Sequence, residues 1–551
     1  MNYAKTGIET RQSRHVQPLL INTLLFVLLV VALFHYPDYP SFALDPSWKM
    51  AFGQFFRDAL QFGPEVTCTF GPLGLLYANT YIGLPFWGSL LWQLCAAAVF
   101  AIVIIDSAQR LMGIRRIMYF AFFLFLGSFH TGALQQMSTD LWHQMFTDVL
   151  HQTIIAMIGF ALIHRSGEDW RPTTALLMLV LALLASIKFT NVILASFVIL
   201  IVCVQELWHS RWHRALRLAA CFLAGFVALW MACGQGLANL PTYLYNSWHI
   251  SQGYHQAMGL PTPGPPFWLG LTVLALLSAY GFQYLIVHVG KSHTLARFVL
   301  LTVFLCLIWK HGFVRADGHM FIFFANALLA VIAFPALLDD LPHCRWPAQV
   351  LLGLASLLCV WGLHSTGMQV GWPDVLWQVP SRLQDKLWRH YTLLGQWAPL
   401  GASYERRLDK EKQQFDMPRT RELIGQAPID VLGYEQAIAL YNGFAYRPRP
   451  VFQSFSANTQ YLARLNDDFY RSSRAPDYAL LKLQTIDNRL PTLDDSLLLR
   501  SFMHRYDYVH TERGFQLWKR RSQLRREGSE LPGFLRHEAI TLNQPLPLGE
   551  L

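Results

Sequence analysis

Two groups of residues carry chemistry in this sequence, and each stands at the edge of an apolar run. The first is Leu44-Asp45-Pro46-Ser47-Trp48, followed downstream by Phe70-Gly71-Pro72-Leu73-Gly74. The Asp45 carboxylate is suited to take a proton from an acceptor hydroxyl, the work of a general base. Asp followed by Pro is also ordinary helix-start chemistry, with Asp45 as the N-cap and Pro46 in the first helical position. The two roles are compatible, because a cap fixes where the carboxylate points. The second group is Trp309-Lys310-His311-Gly312-Phe313-Val314-Arg315-Ala316-Asp317-Gly318-His319. Lys, Arg and His gathered around two glycines suit a phosphate or pyrophosphate. Charge beside a membrane core is costly and has either a partner or a function. The competing account pairs Arg315 with Asp317 and lets Lys310 snorkel to water.

Two further sets are open to more than one reading. Lys188 is a lone cation in a long apolar stretch, explained equally by snorkelling and by a phosphate contact. Asp140, His143, Asp148 and His151 repeat at i, i+3, so each Asp–His pair shares a helix face. A divalent metal is one reading of that set, and in a metal-dependent enzyme Asp140 or Asp317 would help bind the ion. Solvated loop residues are the other. No GxxxxGK[ST] loop and no GxSxG elbow occurs. The eight cysteines form no CxxC, and most sit inside apolar runs.

The elements that must position these residues are membrane helices. Of 551 residues, 53% are hydrophobic and 14% charged, against about 25% charged in a soluble domain. That balance excludes a disordered chain, a coiled coil and a cytosolic enzyme with an ordinary surface. A spanning helix needs about 20 mainly apolar residues. Eleven stretches qualify: 18–36, 84–106, 117–134, 149–164, 173–188, 189–207, 215–234, 266–288, 296–310, 319–338 and 347–366. The fifth and sixth are nearly continuous and are split at Lys188-Phe189-Thr190-Asn191. Basic clusters fall on one side of alternating spans: Lys5, Arg11 and Arg14; Arg110, Arg115 and Arg116; Arg165 and Arg171; Arg211, Arg214 and Arg217; Lys291 and Arg297. That side is the cytoplasm, so the N-terminus is cytoplasmic and both chemical groups face outward.

The first outward loop, 37–83, carries a helix over about 48–62. Trp48, Ala51, Phe52, Phe55, Ala59 and Leu60 share one face, and Lys49, Gln54, Arg57, Asp58 and Gln61 the other. Such a helix lies in the membrane interface. Residues 1–366 form the transmembrane module. Residues 367–551 change character and form a soluble outward α/β domain. Its expected strands are 429–432, 450–455, 478–483, 506–510 and 515–519, the last two a hairpin, with helices at 434–442 and 458–471 and a loose end from about 522.

The acidic residue opening an interfacial helix in the first outward loop, about eleven spans, a cytoplasmic N-terminus and an outward C-terminal domain resemble the GT-C superfamily of integral-membrane glycosyltransferases. Protein O-mannosyltransferases and the lipid A aminoarabinose transferases belong to it, and the two motifs look like those of its uncharacterised bacterial branch. The resemblance implies a polyprenyl-phosphate sugar as donor and a lipid, glycan or protein acceptor at the outer face of the bacterial inner membrane. It implies Asp45 as the catalytic base, and Lys310, His311, Arg315, His319 and Lys188 as holders of the donor phosphate. No cofactor is implied beyond a possible divalent metal. Several members of the superfamily have two adjacent acidic residues in this loop, whereas Pro46 follows Asp45 here. Three rivals stand beside this reading. An O-antigen ligase or polymerase acting on lipid pyrophosphate would make Arg315 and His319 central. A lipid or polysaccharide transporter would line a continuous path with cations. A non-catalytic assembly protein would use the tail to bind partners. The basic residues gather on one side, which favours an enzyme. The net charge of +9 is spent on topology and does not point to nucleic acid.

Overall fold

The computed structural model describes residues 20–81, 86–109, 111–129, 139–260, 264–291, 293–315, 317–338, 346–366, 372–487 and 489–523. The expectations for Lys5, Arg11, Arg14, Arg110 and the chain end from 524 lie outside these residues, as do the side chains of Asp140 and His143.

A helix stands at each of the eleven apolar stretches. In chain order these are α1 (Leu20–Leu33), α4 (Phe86–Ala108), α5 (Gly113–Phe129), α6 (Thr139–His164), α7 (Pro172–Ile187), α8 (Phe189–Trp208), α9 (Trp212–Ala232), α11 (Pro265–Val287), α12 (Thr294–Phe313), α13 (Met320–Leu338) and α14 (Trp346–Ser365). Among the described residues, seven helices are long and apolar enough to cross a bilayer, and the chain is an integral membrane protein. The helix α6 runs through the middle of the bundle and packs on α4, α7, α8, α12 and α13. Its apolar window is almost wholly buried, as expected where apolar residues surround a helix on all sides. It starts at Thr139, so Asp148 and His151 lie inside a buried helix. The reading of Asp140, His143, Asp148 and His151 as solvated loop residues is thereby corrected: all four positions lie in α6.

Residues 37–83, expected as the first outward loop, contain α2 (Leu44–Arg57) and α3 (Gly74–Ala78). Here the expected interfacial helix is corrected. It begins at Leu44, and Pro46, Ser47, Trp48, Lys49, Met50, Ala51, Phe52, Gly53 and Phe55 are all buried. Of its polar face, Arg57 and Asp58 stay exposed and Gln54 and Gln61 are half-buried, but Lys49 does not meet water. Lys49 is buried against Asp38 at 3.2 Å, and Met50 packs on Ala437 and Tyr441 of the C-terminal domain. A second correction concerns the cap: Ala43 holds that position with no side-chain hydrogen bond. Asp45 therefore lies in the first turn, where a carboxylate still favours the positive helix end.

Helix α10 (Leu240–Met258) follows α9. After α14 come two helices that hydropathy did not announce, α15 (Trp372–Leu394) and α16 (Trp397–Gln414). They tie back to the start of the chain: Lys386 Nζ donates to the carbonyls of Ala32 (2.5 Å) and Gly127 (3.0 Å), and the Tyr404 hydroxyl to Pro37 O (2.7 Å). The rest of the tail contains α17 (Pro418–Ile424), β1 (Ile429–Leu432), α18 (Ala437–Tyr441), α19 (Gln460–Arg471), β2 (Tyr478–Leu481), α20 (Ser496–Arg505), β3 (Tyr506–Glu512) and β4 (Phe515–Arg520). The strands form one mixed sheet in the order β1-β2-β4-β3. Strands β1 and β2 are parallel, and the other pairs antiparallel. Arg513 and Gly514 close the β3–β4 hairpin with φ of 53° and 78°, the left-handed pair that tight hairpins favour. Residues 450–455 are not a strand. Val451 exchanges its backbone bonds with the side chain of Asn466, and Pro450 O accepts from Thr67 N of the first outward loop (2.8 Å). The segment is extended and buried, but its partners are a side chain and the membrane module.

Candidate functional site

The site begins where α7 stops. Lys188 sits between α7 and α8 in extended conformation (φ −146°, ψ 139°). The segment Thr69–Leu73 lies along this break. Phe189 N donates to Thr69 O (2.7 Å), Gly71 N to Ile187 O (3.0 Å) and Leu73 N to Ser186 O (3.3 Å). The backbone groups freed by the break are thereby satisfied, as burial demands. Gly71 permits the approach, since a Cβ there would stand 2.4 Å from Ser186 O.

Lys188 is largely buried. Its Nζ bonds both carboxylate oxygens of Asp148, at 2.8 and 2.9 Å, above the rings of Phe70 and Tyr77. The Tyr77 hydroxyl donates to the same carboxylate (3.0 Å), and His311 Nε2 lies 3.5 Å from it. The orientation of His311 follows from its other neighbour. Asn326 Nδ2 donates to Gln152 Oε1 (3.3 Å), which leaves Gln152 Nε2 to donate to His311 Nδ1 (2.5 Å). The proton on the ring then belongs to Nε2, facing Asp148.

One turn beyond, the α12–α13 connection builds a second ionic group. Arg315 Nε donates to Asp317 (2.9 Å). Its two terminal nitrogens fork onto Asp487 of the C-terminal domain, at 2.8 and 3.0 Å, and Nη1 also donates to Met258 O (2.8 Å). Asp317 in turn holds His319 Nδ1 (2.5 Å) and the His319 backbone N–H (3.0 Å). Burial acts to raise the Asp317 carboxyl, but His319 and Arg315 outweigh it and hold the group well below the usual carboxylate range. Lys310 is different: its Nζ meets Ser251 Oγ at 3.4 Å and, among the described residues, no carboxylate within ion-pair reach.

Asp148, Lys188, Lys310, His311, Arg315, Asp317 and His319 line one cavity of about 410 Å³, together with Asp45, Trp48, Phe70, Tyr254 and His255. Gln453, Phe455, Ser456, Ile486 and Asp487 enter it from the C-terminal domain. Asp45 accepts one hydrogen bond, from Trp48 Nε1 (2.9 Å), and no cation pairs with it among the described residues. The cavity thus brings together Asp45, Lys188, Lys310, His311, Arg315 and His319. Asp148, His255, Tyr254 and Asp487 join them without having been singled out for this site from sequence. Asp148 stood out in the sequence only within the Asp140, His143, Asp148 and His151 set, and its pairing with Lys188 came with the fold. Among the described residues no three metal-binding side chains come together, and Asp317 is engaged by Arg315 and His319.

Four carboxylates (Asp45, Asp148, Asp317, Asp487) and three fixed cations (Lys188, Lys310, Arg315) face the cavity. Lys188 and Arg315 are neutralised in place, which leaves Lys310 as the cation with charge to offer and Asp45 as the carboxylate without a cation. A protonatable acceptor group and a singly charged anion are what such a pair can hold.

No protein-family model matches the sequence, and no curated protein matches it. Two crystal structures of ArnT from Cupriavidus metallidurans align with it, one in the apo state and one bound to undecaprenyl phosphate. They do so at 10% and 12% identity, over 92% of this chain and 98% of theirs, each with a TM-score of 0.34. A likeness that loose assigns neither family nor activity to this chain.

Proposed function

We propose that this protein is a membrane glycosyltransferase of GT-C type. It moves a sugar from a polyprenyl-phosphate donor to an acceptor hydroxyl at the outer face of the bacterial cytoplasmic membrane. The observation that carries this reading is the single cavity in which Asp45 and Lys310 stand as an uncommitted acid and cation. In the reaction the acceptor oxygen attacks the anomeric carbon, the bond from that carbon to the phosphate oxygen breaks, and the acceptor proton passes to Asp45. Lys310 takes the phosphate, and Lys188, His311, Arg315 and His319 form the wall behind it. A sugar phosphodiester carries one negative charge, which one free cation balances. A pyrophosphate linkage carries two, so the charge count favours the monophosphate donor over the ligase-type alternative. The eleven helices, with their basic clusters on one side, support a module of residues 1–366 with cytoplasmic N-terminus and residues 367–551 outside.

The test is sugar transfer by the purified protein in lipid, with a panel of labelled polyprenyl-phosphate sugars. Asp45→Asn is expected to lose transfer by about 10²–10⁴-fold, the range for a general base, while still binding donor. Lys310→Ala is expected to weaken donor binding. Full activity in Asp45→Asn would sink the assignment of the base, and absence of transfer from every donor would sink the class.

A further inference from the structure

Arg315 is the one cavity residue whose charge is over-neutralised. Two carboxylates, Asp317 and Asp487, share a single guanidinium. Their attachments are unequal. Asp317 is two residues away in the chain and is also held by the ring and backbone N–H of His319. Asp487 comes from the loop after β2, and both its oxygens go to Arg315 alone among the described residues. Its backbone is left-handed, with φ of 50°, a conformation that Asp tolerates better than most residues but that is still unfavourable. The same loop has a separate anchor. Arg489 donates to Ala257 O and meets Met258 Sδ at 3.4 Å, at the end of α10. Losing the Arg315 contact would therefore leave the loop attached.

The planar fork that Asp487 occupies is the arrangement in which a guanidinium takes two oxygens of a phosphate. It lies on the wall of the cavity that also holds Lys310 and Asp45. We propose that Asp487 is a resident counter-ion for the phosphate subsite: it fills the fork of Arg315 while the cavity is empty, and an incoming lipid phosphate displaces it. The exchange couples donor binding to the loop after β2. When Asp487 leaves Arg315, the part of that loop that lines the cavity, Ile486 and Asp487, loosens. Charge is conserved, because one anion replaces another on the same cation. This inference rests on the donor class argued above and adds the device that regulates its site.

The test uses the full-length protein in lipid nanodiscs with farnesyl phosphate as probe. Wild type is compared with Asp487→Asn, which keeps the size and the tolerance for left-handed backbone, and with Asp487→Glu, which keeps the charge. Asp487→Asn is expected to bind farnesyl phosphate about tenfold more tightly, because a competing charge-assisted contact is gone. Asp487→Glu is expected to stay near wild type. Hydrogen exchange of the 483–487 backbone should rise when farnesyl phosphate binds wild type, and should be high in Asp487→Asn without it. Farnesyl phosphate binding to wild type with no gain in Asp487→Asn would overturn the counter-ion role and leave the donor class standing. No binding to any of the three would overturn both.

Discussion

Lys188 and Asp148 are each the lone ion in an apolar segment, and the bilayer makes them interdependent. Their side chains are 11% and 6% exposed, so neither can turn to water for solvation. Removing one partner of such a pair strands the other, which costs about 3–5 kcal/mol, whereas replacing both with apolar groups is often near neutral. Lys188→Ala is therefore expected to lower thermal stability in detergent strongly. The double variant Lys188→Met with Asp148→Leu should recover most of the loss while remaining inactive. A double variant no more stable than Lys188→Ala would show that the pair is not what the site depends on. Both ions were visible in the sequence, but their partnership was not. They are 40 residues apart and meet only because α6 packs on α8. The same holds for Arg315. Its pairing with Asp317 follows from sequence proximity, but the fork onto Asp487 spans 172 residues and two parts of the fold. Asp45 was found from its motif, and its freedom from any cation could be seen only once its neighbours were in place.

At the scale of elements, the break between α7 and α8 is the feature on which the site is built. It puts Lys188 in the wall, and the Thr69–Leu73 segment closes it through backbone hydrogen bonds. Gly71 is the residue that lets the two backbones meet, with Ser186 O 2.4 Å from where a Cβ would lie and the Tyr243 hydroxyl 3.2 Å away. Gly71→Ala must push the segment off the break, and overpacking of this kind costs about 1–3 kcal/mol. The expected outcome is a lower unfolding temperature, together with loss of transfer, because Trp48 stacks on Phe70 and Trp48 in turn holds Asp45. A fully active and stable Gly71→Ala protein would mean that the segment has room the distances do not give it. Hydropathy located the helices and the break, since a run too long for one span must be interrupted and Lys188 is the point of lowest cost. It missed what covers α2. An amphipathic pattern says which face is apolar, but not that Met50, outside that face, will be buried by Ala437 and Tyr441 nearly 400 positions later. Residues 450–455 misled for a related reason. A short apolar extended run reads as a strand, but its backbone partners are Asn466 and Pro450's neighbour Thr67.

For the whole molecule, the C-terminal domain is a wall of the site, held by contacts whose pH dependence differs from its own. Docking uses Asp487 on Arg315, Tyr461 on Asn246 (2.8 Å) and the Thr67–Pro450 backbone bond. The hydrogen bond from Arg315 holds the Asp487 carboxyl below its usual 3.8, and Asp317 beside it is also held below that value. A carboxyl depressed in the folded state contributes stability above its unfolded value and loses it as pH falls through the folded one. Two buried carboxyls inside the domain have the opposite sign. Burial, only partly offset by Arg449, pushes the Asp495 carboxyl up to about 7, and burial raises Asp430 as well. A raised carboxyl contributes most below its unfolded value, and that contribution is lost as pH rises through the folded one. Acidification through and below about pH 4 is therefore expected to loosen the docking while leaving the sheet domain folded. Hydrogen exchange should then rise first at 453–456 and 486–487, with β1, β2 and β4 still protected. Simultaneous loss of protection in the sheet and at the interface would show that docking and folding are one transition, and that the ion pairs at the interface do not control it separately.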